Sequence, residues 1–126
     1  MVDTGELFFP PIRMNLGKTV ATTILYSNSK DVSSWFGPKA QQGLYIEKSA
    51  LPRPVPKQIE IMVFRARPTS SAGLLLPLKK HSVHEDSVRY EDQSNPPIAG
   101  AVYLPSRMLG AEPPEECFLE ITFLSQ

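Results

Sequence analysis

The densest cluster of potential metal ligands in this chain is His81-Ser82-Val83-His84-Glu85-Asp86, which holds both of its histidines. Two imidazoles and a carboxylate, here His81, His84 and Glu85, are a set that iron, manganese or zinc accepts. The two rings, three residues apart, would share a face on a helix and point to opposite sides on a strand. A catalytic centre usually draws a further ligand from a distant strand, and no third histidine exists to supply one. The segment follows Lys79-Lys80 and precedes a polar stretch, so it reads as an exposed hairpin loop. Solvation is its plainest role, and a metal-dependent enzyme is the last of three functional readings.

Cys117, the only cysteine, could act as a nucleophile with His81 or His84 as its base. Its alternation with Leu119 and Ile121 instead turns the thiol toward the core, where it would be unreactive. Gly17-Lys18-Thr19 resembles the end of a phosphate-binding loop, but that loop needs glycine where Ile12 stands. It reads as a turn before a strand. No serine lies in a Gly-X-Ser-X-Gly elbow. The supply of converging catalytic groups is thin, and the chain reads as a non-enzyme with no cofactor.

Charge is segregated along the chain although the net charge is zero. Lys48, Arg53, Lys57, Arg65, Arg67, Lys79 and Lys80 face only Glu60 between positions 48 and 80, whereas two arginines face eight acids from His81 onward. If 57–67 is a strand, Arg65 and Arg67 project from one face, and with Lys79 and Lys80 they could form a phosphate-binding surface. Tyr45 and Tyr103 could stack on bases beside it, as in strand-built binders of single-stranded nucleic acid. The competing account is that neighbouring strands pair the two signs across the sheet.

The elements that must position these groups are strands. Period-two alternation and turn signals mark candidates at 6–9, 19–27, 43–48, 57–67, 73–79, 88–90, 100–104 and 117–124. Thirteen prolines, many in pairs, exclude long helices. Pro77 places the alternating Leu74, Leu76 and Leu78 at a sheet edge. Short helical turns are expected within 31–37 and at 105–110, the latter with Pro105 at its start and Gly110 at its end. The expected fold is all-β, a single-domain sandwich, jelly roll or barrel of about eight short antiparallel strands.

Two stretches, 44–64 and 102–123, read as copies of one unit: strand, bend ending in leucine (Leu51, Leu109), proline turn (Pro56, Pro114), second strand with Glu-Ile. They align at an offset of 58 before the turn and 60 after it. A possible internal repeat within one domain spanning 1–126 follows.

With 41% hydrophobic and 21% charged residues the composition is that of a folded domain. A lone cysteine excludes intrachain disulfides and suggests a reducing compartment. The acidic start and the short apolar run before Pro10-Pro11 lack the pattern of a secretory signal, and no run reaches a membrane span, so a cytoplasmic location is expected. Trp35-Phe36, between Ser34 and Gly37-Pro38, suits an interface anchor. The first reading of function is therefore a small binding or interaction domain that forms a homo-oligomer. Nucleic-acid binding through 48–80 is the second.

Overall fold

Alternating apolar residues build nearly every strand of this chain, and their inward faces meet in one core. The structure is a computed structural model that describes residues 7–27, 43–68, 73–85 and 87–124. Its strands are β1 (Leu7–Val20), β2 (Thr23–Ser27), β3 (Leu44–Glu47), β4 (Gln58–Phe64), β5 (Leu74–Val83), β6 (Ser87–Asp92), β7 (Ala101–Pro105) and β8 (Glu116–Phe123). A 3-10 turn at Lys48–Ala50 and a single helical turn at Ser106–Leu109 are the helical elements among the described residues. None is long and apolar enough to cross a membrane.

The strands form one antiparallel sheet in the order β3-β2-β1-β4-β8-β5-β6-β7, curled into a nearly closed barrel. The all-β expectation holds, and among its three forms the sheet takes the barrel. Its two end strands approach across a seam, where the Glu47 N–H donates to the Ile98 carbonyl at 2.8 Å. Ile59, Ile61 and Val63 of β4 and Cys117, Leu119 and Ile121 of β8 point inward with Met14, Ile24, Leu76, Val88 and Leu104. Side chains fill the interior, as in other eight-stranded barrels too narrow for a channel.

The strand order reads the same from both ends: β3-β2-β1-β4 on one side of the centre, β7-β6-β5-β8 on the other. Matching contacts show the correspondence in detail. Tyr26 of β2 donates its hydroxyl to the Pro56 carbonyl at 2.7 Å, and Tyr90 of β6 donates to the Pro114 carbonyl at 2.7 Å. Leu16 N–H bonds Lys57 O, and Lys80 N–H bonds Glu115 O, both at 2.8 Å. Residues of β1 and β2 thus correspond to residues 64 later, and those from β3 to β4 to residues 58 later. In the central register Glu60 faces Thr122, Met62 faces Glu120 and Phe64 faces Phe118. A shift of 58 turns the first pair into the third and Met62–Glu120 into itself, so a pseudo-two-fold axis passes between Met62 and Glu120. The offset of 60 expected after the proline turn is therefore corrected to 58: Glu60 corresponds to Phe118, and the two Glu-Ile pairs are not counterparts.

The paired tyrosine clamps give a first prediction. Tyr26→Phe and Tyr90→Phe each leave a carbonyl without its donor, at a cost of about 1–2 kcal/mol. The two losses should be similar and nearly additive in urea midpoints at constant m-value.

Several local expectations are corrected. The strands expected at 6–9 and 19–27 are not separated at Gly17; β1 runs continuously from Leu7 to Val20, and the turn falls at Ala21-Thr22, with Ala21 left-handed at φ 46°. Register shifts between Leu7 and Ile12 absorb Pro10-Pro11, whose rings cannot donate to the ladder. Pro77 does not mark an edge, because β5 lies between β8 and β6. Its carbonyl accepts Gln93 N–H at the end of the β5–β6 ladder, so the missing donor falls where that pairing stops. The strand expected at 57–67 ends at Phe64, which puts Arg65 and Arg67 in the connection to β5 rather than on a strand face. Just before β5, Gly73 lies so close to β8 that a Cβ would overlap the Ile121 carbonyl. The helical turn expected within 31–37 falls outside the described residues.

Candidate functional site on the outer face of β5, β6 and β7

Among the described residues the barrel interior holds one thiol, and burial disarms it. Cys117 has no exposed surface, and its thiol is pushed up to about 12 by that burial. At neutral pH it carries no thiolate, the form that attacks. Alkylation of Cys117 by iodoacetamide should therefore proceed only as fast as the protein opens, and mild denaturant should accelerate it. The sign of the alkaline effect follows as well. A folded-state value above the unfolded one means that stability is intact below about pH 8.5 and is lost as pH rises toward about 12. Cys117→Ala should flatten that slope.

Polar chemistry gathers outside, on β5–β6–β7. The segment expected to be a hairpin loop is strand in its first half, since β5 continues through Val83, and β6 begins at Ser87. Between Lys80 and Ser82 the register slips: Lys80 faces Tyr90 and Ser82 faces Arg89, leaving His81 as the extra residue of a bulge. In a regular strand consecutive side chains point to opposite faces; the bulge lets His81 and Ser82 share the outer one. Ser82 Oγ lies 3.3 Å from His81 Nδ1 and 2.9 Å from His84 Nε2. On its far side His81 Nε2 is 3.8 Å from Glu91 Oε2, and that oxygen accepts Arg89 Nη2–H at 3.2 Å. The His84 ring tilts against Tyr103 with centroids 6.1 Å apart.

The other half of the barrel serves as an internal comparison. Its β1–β2 hairpin carries a bulge at the equivalent place, between Leu16 and Thr19, with Gly17 where His81 stands. A Cβ on Gly17 would lie 2.9 Å from the Leu25 carbonyl. The counterparts of Ser82, His84, Arg89 and Glu91 are Lys18, Val20, Leu25 and Ser27, and only Tyr103 keeps its type, as Tyr45. Residues that hold the fold match between halves; those of this outer cluster do not. The cluster is thus not required by the architecture.

The remaining sequence-based candidates fall in different places. Lys79 stands in register between Glu91 and Glu116, and Lys80 bonds Glu115 at 2.9 Å. Arg13 similarly meets Glu60 at 3.7 Å. Acids of the second half therefore lie against the lysines of β5, and Glu60 of the first half lies against Arg13 of β1, as cross-strand pairing requires. Arg67 stacks its guanidinium 4.9 Å above the Phe118 ring, and Arg65 lies in the same exposed connection. Tyr45 and Tyr103 sit on the two end strands, on opposite sides of the seam. Glu85 is exposed at the hairpin tip, and Glu91 rather than Glu85 joins His81. Among the described residues no three His, Cys, Asp or Glu converge as a metal would need. Trp35 and Phe36 lie outside the described residues. Glu91, Arg89 and Ser82 carry no signal that sequence reading could use, since only the bulge and the β5–β6 register unite them with the histidines.

Compared with protein-family models, curated proteins and solved structures, the chain has no match.

Proposed function

We propose that the chain is a small non-enzymatic binding domain that associates with a second copy of itself across the seam between β3 and β7. The observation that carries this reading is the seam. Seven antiparallel steps separate the end strands, so β3 and β7 run in opposite directions. Glu47 N–H points out of the sheet to Ile98, so by the period of two Tyr45 also directs its backbone to the open side. On the other edge Gly100 O turns inward to Asp92 N–H, which leaves Ala101, Tyr103 and Pro105 facing outward. Pro105, the counterpart of Glu47, has no N–H to give and blunts that edge. A copy turned by a half rotation could lay its β7 along β3 and its β3 along β7, an isologous arrangement.

Sequence supports the same side of the molecule. The shift from an offset of 64 to one of 58 places six extra residues in the β2–β3 connection relative to the β6–β7 connection. That longer connection contains Trp35-Phe36. Aromatic residues within the extra sequence of a connection suit an interface anchor. Nucleic-acid binding through 48–80 takes second place, because Lys79 and Lys80 already face acids across the sheet.

Sedimentation at micromolar concentration tests the proposal. A dimer or larger closed assembly is expected, with Trp35→Ser shifting it toward monomer while the melting curve stays cooperative. A concentration-independent monomer would overturn the reading, as would a Trp35→Ser chain that unfolds, since Trp35 would then belong to the core.

A further inference from the structure

We propose that Ser82 is a nucleophilic hydroxyl that accepts an acyl group from activated esters, with His81 as its base and Glu91 holding that base in place. An activated nucleophile is recognised by three things: a base within hydrogen-bond reach, a third group that orients the base, and access for the substrate. All three are present. Ser82 Oγ and His81 Nδ1 are 3.3 Å apart, Glu91 stands 3.8 Å from His81 Nε2, and Arg89 anchors Glu91 at 3.2 Å. The face is open to solvent, with the His81 side chain 49% exposed.

Hydrogen bookkeeping orders the array. We assign the His81 proton to Nε2, the nitrogen nearer the Glu91 carboxylate at 3.8 Å, which leaves Nδ1 to accept from the Ser82 hydroxyl. Ser82 Oγ then accepts from His84 Nε2–H, which stands 2.9 Å away. The hydroxyl is thus polarised toward the base and fixed from its other side. In the reaction Oγ attacks the ester carbonyl carbon as its proton passes to His81 Nδ1. The C–O bond to the alcohol breaks, and a basic alkoxide leaves with that proton, whereas a stabilised phenolate leaves as the anion and His81 passes the proton to water. The products are acyl-Ser82 and the free alcohol, with no oxidant or further reactant consumed.

The twin hairpin argues that the array is not a by-product of the fold. An equivalent bulge stands there with Gly17-Lys18 in place of His81-Ser82 and Leu25 and Ser27 in place of Arg89 and Glu91. The bulge alone therefore does not demand these side chains, and every member of the relay differs from its counterpart.

Treatment with p-nitrophenyl acetate, followed by peptide mapping, tests the proposal. A positioned base contributes about 10²–10⁴-fold, and an exposed one belongs at the low end. We expect acetyl to accumulate on Ser82 at least about tenfold faster than on any other serine, with one equivalent of nitrophenolate released. Ser82→Ala should abolish that phase, and His81→Gln should slow it about tenfold or more. Glu91→Gln should slow it less, through loss of orientation. Unchanged melting temperatures would show that these surface variants keep the fold. Acetylation confined to lysines, Ser82 labelling no faster than other serines, or an unchanged rate in His81→Gln would each overturn the proposal.

Discussion

Leu119→Ala and Ile61→Ala are each expected to remove about 2–5 kcal/mol of stability, enough to leave a marginal domain partly unfolded. The two residues are counterparts under the pseudo-two-fold axis and lie one pair on either side of it: Ile61 faces Ile121, and Leu119 faces Val63. Both are essentially fully buried, at 1% and 0% exposure. β4 and β8 hold the two halves together and have strands on both flanks, so neither can move inward to fill the void. Similar losses from the two variants are expected from the symmetry, whereas an unrelated pair of core positions need not match. The double variant should depart from additivity, because the sites share neighbours across the β4–β8 ladder. Urea unfolding of the three variants measures this, and a loss below about 1 kcal/mol at either site would contradict the central placement of the pair.

Asp92→Ala should destabilise by about 3 kcal/mol or more, because three amides lose their acceptor together. The carboxylate accepts from Ser94 N at 2.8 Å, Ile98 N at 2.7 Å and Ala99 N at 3.0 Å. It is 8% exposed, so water replaces these bonds poorly. The consequence reaches beyond stability, since the connection that Asp92 shapes presents the Ile98 carbonyl to Glu47 N–H across the seam. Hydrogen exchange should therefore show faster exchange of the Glu47 amide in Asp92→Ala. Asp92→Asn keeps one oxygen, enough for the Ile98 and Ala99 pair or for Ser94, and its loss should be intermediate. If Asp92→Ala leaves Glu47 protection unchanged, the seam does not depend on this connection.

The seam and the Ser82 cluster use different parts of the surface. The seam involves the outer edges of β3 and β7, while Ser82, His81 and Glu91 lie on β5 and β6; Tyr103 of β7, packed against His84, is the residue that touches both. Trp35→Ser should thus leave Ser82 acetylation intact, and Ser82→Ala should leave the assembly state intact.

Much of the fold was legible because a β-strand reports its buried face with a period of two. Ile59-Ile61-Val63 and Cys117-Leu119-Ile121 could be assigned inward from residue type alone, and Pro105 and Gly110 delimited the single helical turn. The likeness of Leu51 to Leu109 and of Pro56 to Pro114 reflected structural counterparts. A burial pattern is a local property, and local properties are written in sequence. Which strands meet is not. The sequence could not show that Pro77 lies inside the sheet, because the damage done by a missing N–H depends on where the neighbouring strand ends. It placed the second-copy offset two residues off, because the identical Glu-Ile pair outweighed a register that only β4–β8 pairing reveals. The union of His81 with Ser82 likewise depended on a one-residue slip against β6, and the union with Glu91 on which strand lies beside β5. Residue type alone determined the alternating strands, the buried unreactive cysteine and the all-β class. Tertiary structure decided the closure, the axis and the outer cluster, because each is a relation between strands distant in sequence, set by hydrogen-bond register rather than by any residue's own preference.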